Sequence, residues 1–256
     1  MKITFHYTFL LVAISFILTG YFSNLIIFTS IILIHELGHY HAAKINNLKV
    51  DKIIIYPYGG ITKINTPVNT KIKKELIVAI SGILYQLIYF FLIYILYKNN
   101  IIREYIYNIF KMYNQSILLF NILPIHPLDG SKILNLLLST IIPYKKTLKI
   151  NIFISIITIL ILFITNYYEF NYTTVLILSI LVDNIIKYYK DINYYFNKFL
   201  LERYLNNFSY KKNKQITKID NMYKEKYHII KVNNHYITEK QALIHRFNKK
   251  KPKTFD

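Results

Sequence analysis

The sequence predicts an α-helical polytopic membrane protein with about six transmembrane helices, a short membrane-associated β-hairpin and a small C-terminal α/β module. Three observations carry this. Several apolar runs approach ~20 residues, the length that spans a bilayer. The 256-residue chain is 54% hydrophobic and its mean hydropathy is positive. Its formal charge of +19 is concentrated in a few segments between and after the apolar runs. That pattern fits a membrane protein with basic cytoplasmic parts, not the basic stripe of a soluble nucleic-acid binder. The chain has no cysteine. A disulfide framework and a thiolate zinc site are therefore excluded, and any metal must be held by His, Asp or Glu.

The elements follow in order. The start, "MKITFHYTFLLVAISFILTG", has the charge and apolar run of a signal peptide but no convincing small-residue cleavage site. It reads as a retained first span over 5–22. The second span covers 24–44 and the third 75–97, "ELIVAISGILYQLIYFFLIYILY". The fourth, 105–123, is weaker and amphipathic; the last two cover 149–166 and 172–189. Loop 45–73 carries Lys49, Lys52, Lys63, Lys71 and Lys73 against Asp51 alone, and 124–148 carries Lys132, Lys145 and Lys146. The intervening loops hold only Lys98 and Arg103, and "TNYYEF" holds no Lys or Arg. The positive-inside rule then places both termini and both basic loops in the cytoplasm. Residues 50–64, "VDKIIIYPYGGITKI", are two β-prone runs around Pro57, Gly59 and Gly60, a hairpin signal. The chain divides into residues 1–190, with the spans, and a basic tail, 191–256, whose short runs "YHIIKV" and "HYITEKQALIHRF" predict a small folded module.

Chemistry concentrates in "HELGH". On a helix, His35 and His39 lie four apart on one face, ~6 Å along the axis, so both imidazoles can ligate one Zn²⁺. Glu36 between them can reach the open coordination position and act as general base. The competing reading, a charged helix end facing water, fits poorly with the apolar run around the motif. A zinc site needs a third protein ligand. The zincins with an extended third-histidine pattern require Gly at 42 and His at 45; Ala42 and Ile45 exclude them. Two carboxylates remain. Glu75 opens the third span, as a prenyl-protein type of membrane metalloprotease would use it. Asp129 lies in "FNILPIHPLDGSKILNLLL", where Pro124 and Pro127 break the helix and Gly130 follows. Broken backbone at membrane depth is tolerated where it lines a cavity or is buried in protein. An ordinary turn Asp is the alternative for 129. A metal transporter or a membrane scaffold is the non-enzymatic alternative for the chain. The polar residues cluster at one depth and form no row across several spans, which argues against transport.

The combination of "HELGH" in a second span, "PYGG" after it, "SG" in the third span and "N-x-x-P-x-x-P-L-D-G" later resembles the site-2 intramembrane metalloproteases. Loop 45–73 is too short for a PDZ domain, so the chain is most similar to the branch from spore-forming bacteria that lacks one. The resemblance covers nearly the whole chain. It implies that His35, His39 and Asp129 hold one Zn²⁺, that Glu36 is the general base, and that Asn121 orients the substrate or polarises the scissile carbonyl. It also implies that Gly59 and Gly60 lie in a loop near the active site, whose flanks could pair with an unwound substrate. For Asn121 the plain alternative is an interhelical hydrogen bond; for the two glycines it is a surface turn. The implied substrate is a membrane-associated protein, a sporulation sigma-factor precursor. The implied partners are inhibitory or regulatory membrane proteins and the lipid bilayer, with no nucleic acid. The tail resembles a divergent CBS-like module that regulates or recognises substrate, with nucleotide sensing as an open role. The chain departs from the family at Ile83, usually Pro, at Gln86, usually Asn, and at Ser131, usually Gly. His41 reads as structural or interfacial, and His126 is left unassigned.

Overall fold

The computed structural model describes residues 2–57, 59–165, 172–210, 212–232 and 235–248. Most of the "TNYYEF" loop, Tyr58 and the last eight residues lie outside the described residues. The chain forms two compact units, one of Met1–Thr66, Lys73–Pro124 and Leu128–Ile133, the other of Pro67–Ile72, Ile125–Pro127 and Leu134–Asp256.

The first unit starts with strand β1 (Ile3–Phe5), helix α1 (Tyr7–Leu18) and helix α2 (Phe22–Ile45). Two features at the end of α2 turn the chain back. The Asn47 backbone is left-handed at φ 58°, which asparagine tolerates. The Leu48 N–H returns to the Ala43 carbonyl at 2.9 Å, satisfying an otherwise orphaned acceptor. Strands β2 (Lys49–Tyr56) and β3 (Gly59–Asn65) then pair antiparallel, as the 50–64 pattern predicts. No local pattern marks the third strand. β1 adds to β2 in parallel, with Ile3 opposite Ile53 and Phe5 opposite Ile55. Pairing at this sequence distance leaves no local signal, so the sequence reading has no strand at 3–5 and starts the first span at Phe5. Helix α3 (Ile72–Lys98) and helix α4 (Glu104–Ile122) complete the unit, with the first turns of helix α5 (Asp129–Ile141). α2 packs on α4, β2 and β3. Phe9, Ile32 and Ile55 form one buried cluster; Ala42, Ala43 and Val78 form another under Val50 and Ile64. Burying each large apolar side chain is worth roughly 1.5–3 kcal/mol, so these clusters fix the sheet against α2.

Among the described residues, three helices are long and apolar enough to cross a bilayer: α2, α3 and helix α6 (Tyr144–Thr165). α1 has 12 residues, too few to cross alone. α4 has 19 residues, but Glu104, Lys111, Asn114 and Gln115 lower its hydropathy. The expected sixth span is the start of a longer helix, α7 (Tyr172–Leu205), which runs unbroken through residue 190. Burial is inverted relative to a water-soluble protein. Gln86, Asn114, Asn151 and Ser155 are buried, whereas Leu84, Ile88, Phe91 and Leu92 on α3 and Phe153, Leu160 and Ile164 on α6 are exposed. Exposed apolar faces of that extent suit lipid, and interior polar groups suit helix–helix hydrogen bonding within it.

In the second unit α6 packs on α7, and the tail forms strands β4 (Asn213–Ile216), β5 (Tyr227–Val232) and β6 (His235–Thr238) with helix α8 (Glu239–Asn248). β5 lies between the others, parallel to β4 and antiparallel to β6. Arg203, in the last turn of α7, ties the module together. Its guanidinium donates to both Glu239 carboxylate oxygens at 3.0 and 3.1 Å, to the Lys226 and Tyr223 carbonyls at 2.9 Å and to Asn69 Oδ1 at 2.7 Å. It stacks on Phe199 and Tyr210 at 4.6 and 4.7 Å. Removing one partner of such a buried pair typically costs about 3–5 kcal/mol. Arg203→Met therefore unfolds the tail at lower denaturant than wild type, read as earlier protease cleavage within 213–248.

The same cluster sets an acid limit. Burial lowers the His228 pKa below its ordinary 6.5, outweighing the pull of the Glu239 carboxylate. Burial alone would raise Glu239, but hydrogen bonding with His228 and the Arg203 charge lower it below 4.5. Both folded-state values are depressed, so both contributions are complete above the unfolded values and fade as pH falls through the folded ones. Tail stability is expected to decline as pH drops below about 6.5, and further below about 4.5. A protease-resistance series over pH checks the order of the two losses.

Candidate metal centre

His35 and His39 face the same way from α2, one turn apart, with rings 4.8 Å between centroids and Nε2 atoms 3.1 Å apart. Both are buried. Each ring is held by its other nitrogen. His39 Nδ1 donates to the Val78 carbonyl at 2.7 Å, and His35 Nδ1 donates to Gln86 Oε1 at 3.0 Å. A neutral imidazole carries one hydrogen, so both Nε2 atoms present bare lone pairs.

Asp129 completes the cluster. It is the first residue of α5, just after the proline-broken stretch, and a side chain on Gly130 would collide with the Ile122 carbonyl. That close approach sets the start of α5 against the end of α4. Asp129 Oδ2 lies 2.9 Å from His35 Nε2 and 3.0 Å from His39 Nε2. Its other oxygen accepts from Lys132 Nζ at 2.8 Å. In these tautomers the three atoms meet lone pair to lone pair at 2.9–3.1 Å. Such a set repels itself unless a cation joins it. The separations are shorter than two zinc–ligand bonds of ~2.0–2.1 Å, so a single ion can touch all three, and the donor set of two imidazoles and a carboxylate suits zinc. These residues fit the metal.

Glu36 is buried beside the pair, and ligand atoms of His35, Glu36 and His39 all lie within 4.8 Å of one another. Its Oε2 accepts from Thr62 Oγ1 on β3 at 2.5 Å. Gly60 is next to it, and a Cβ there would overlap the Glu36 side chain. The hairpin therefore lies directly on Glu36, and only glycine at 60 lets it. Gly82 is the same device on α3: a Cβ would stand on the Nε2 atoms of His35 and His39. The stripe Val78, Gly82 and Gln86 faces the two histidines, each residue four on from the last.

The other expected residues fall as follows. Gly59 sits at the start of β3 with φ 149°, a conformation that favours glycine. Asn121 lies half-buried in the last turn of α4, and its side chain makes no hydrogen bond with any described residue. Glu75 lies in the first turn of α3, whereas the carboxylate in contact with both imidazoles is Asp129. His41 is exposed, with Nδ1 3.2 Å from the Tyr85 hydroxyl. His126 belongs to the second unit, where its ring stacks on Tyr188 at 3.9 Å and its backbone N–H donates to Ser155 Oγ. Sequence reasoning missed Thr62 and noted Gln86 only as a departure from the family's usual Asn. The signal for Gln86 was its spacing of four from Gly82 inside an apolar run.

Known proteins resemble the chain over most of its length. A profile of Peptidase family M50 matches residues 23–100 and 97–165. The Stage IV sporulation protein FB of Bacillus subtilis is 31% identical over 221 residues, which is 86% of this chain and 75% of that protein. A zinc metalloprotease of Methanocaldococcus jannaschii is 32% identical over 178 residues, covering 64% of this chain and 51% of that one. Among solved structures, the site-2 protease from Methanocaldococcus jannaschii superposes with a TM-score of 0.58 at 26% identity, over 73% of this chain and 91% of that one.

Proposed function

This chain belongs to peptidase family M50, the site-2 type of membrane zinc metalloendopeptidase, and from that premise we propose that His35, His39 and Asp129 hold one zinc ion and Glu36 is the base that cleaves a protein substrate at the membrane. The observation that carries the residue assignment is the meeting of three lone-pair donors within 3.1 Å. Bound zinc supplies Lewis acidity and lowers the pKa of water.

The protein's own groups do the rest. Glu36 takes a proton from the attacking water and returns it to the leaving amine. Thr62, donating to one carboxylate oxygen, orients the base and leaves the other oxygen for the water. Asn121, with no partner among the described residues, is available to the carbonyl oxygen of the scissile bond, where a donor aimed at developing charge lowers the barrier. The substrate must present extended backbone, because a helical amide is shielded. Gly59 and Gly60 open β3 beside Glu36, so an extended substrate segment reaches the base along this strand.

The substrate we propose is a membrane-associated sporulation sigma-factor precursor. Its support is likeness to a sporulation protein over 86% of the chain. We further propose six spans within residues 1–190, with both termini and the active site towards the cytoplasm, a CBS-like regulatory tail over 191–256, and inhibitory membrane proteins as partners. Metal analysis of the protein purified in detergent tests the ligand set. Asp129→Asn should lose bound zinc, and Glu75→Gln should keep it. The reverse result would assign the third ligand to Glu75. Co-expression with a candidate sigma-factor precursor, with and without Glu36, tests the substrate.

A further inference from the structure

We infer that Gln86 is a positioning residue for the metal centre, fixing His35 in the one tautomer and orientation that turn Nε2 towards the ion. The inference rests on the reading of His35 as a ligand.

Gln86 is fully buried on α3. Both ends of its amide are engaged, and they can be engaged in only one sense. The Asn114 backbone carbonyl, on α4, can only accept. It lies 2.9 Å from the amide nitrogen, so the –NH₂ end of Gln86 must face it. The amide oxygen is thereby turned towards His35 Nδ1 at 3.0 Å. An oxygen there requires the Nδ1 hydrogen, which leaves Nε2 without one. A backbone carbonyl on α4 thus dictates, through one side chain, which nitrogen of His35 is free for a metal. His39 needs no such relay, because the Val78 carbonyl itself specifies its tautomer.

The length of the side chain matters. An asparagine at 86 offers the same groups with one methylene less and cannot keep both contacts from the same backbone position. Outer partners of metal-bound histidines are typically worth ~10–100-fold in metal affinity.

The test is zinc competition against a chromophoric chelator, with the visible spectrum of the cobalt-substituted protein as second readout. Gln86→Met preserves the shape but cannot accept from Nδ1. It should bind zinc about 10–100-fold more weakly and show an altered cobalt spectrum. Gln86→Glu keeps an acceptor opposite His35 but sets a carboxylate oxygen against the Asn114 carbonyl, so it should recover only part of the affinity lost in Gln86→Met. Gln86→Asn should fall between them. Thermal unfolding of each apo-protein monitors the fold, and Gln86→Leu is read in the same way if the Met variant does not fold. Wild-type affinity and an unchanged cobalt spectrum in Gln86→Met would overturn the inference. So would weaker zinc binding in Gln86→Met with an unchanged cobalt spectrum, since this would indicate packing alone. If wild type holds no zinc, the metal reading fails first and this inference fails with it. If wild type and Gln86→Met bind equally tightly, only the inference fails.

Discussion

Glu36→Gln is expected to retain zinc and lose cleavage. The substitution keeps the size of the side chain and an oxygen that accepts from Thr62 Oγ1, so the hairpin stays on the helix. The amide has no basic oxygen that can take a proton from water. General-base catalysis typically contributes ~10²–10⁴-fold, so the rate should fall by that factor with metal content unchanged. Metal analysis and a cleavage assay on the same preparation separate the two effects. Cleavage at the wild-type rate would remove Glu36 from the mechanism, and loss of zinc would make it a ligand.

Gly82→Ala should do the opposite and abolish metal binding in a folded protein. A methyl group at 82 would overlap the imidazoles of both histidines at the nitrogens that face Asp129. Neither ring can swing aside, because Val78 and Gln86 hold their Nδ1 atoms. The collision must push α3 away or break those hydrogen bonds. A displacement near 1 Å at a reacting centre costs on the order of 10²-fold, and a ligand triangle with 2.9–3.1 Å edges leaves no slack. Leu87→Ala, on the exposed side of the same helix, serves as the control and should leave zinc content unchanged. If Gly82→Ala binds zinc normally, α3 is looser than its contacts indicate.

Much of this site was legible in the sequence because its parts are local. "HELGH" fixes two imidazoles and a carboxylate by helical spacing alone, and the prolines before Asp129 mark a break in an apolar stretch. The parts that were not legible depend on contacts between distant segments. In the sequence, Gln86 stands out only as a departure from the family's usual Asn. Its partners, His35 and the Asn114 carbonyl, are 51 and 28 residues away. Thr62 lies 26 residues from Glu36, on a hairpin that the two β-prone runs placed without revealing what it touches. The Arg203 cluster joins Asn69 to Glu239 across most of the second unit, and no pattern in the tail announces it. Span counting was weakest where length and hydropathy disagree, at the short α1 and the tyrosine-rich α4.

The small sheet of the first unit has a mechanical consequence. Ile3 is paired with Ile53, and Ile53 with Thr62, so one lateral row of residues runs from the start of the chain to the hydroxyl on Glu36. Two strand spacings of ~4.8 Å separate its ends. Tension applied at residues 2–5 travels across the backbone hydrogen bonds of the sheet and not through a loop. A tag, anchor or partner that pulls on that first strand therefore acts as a lever on the general base about 10 Å away.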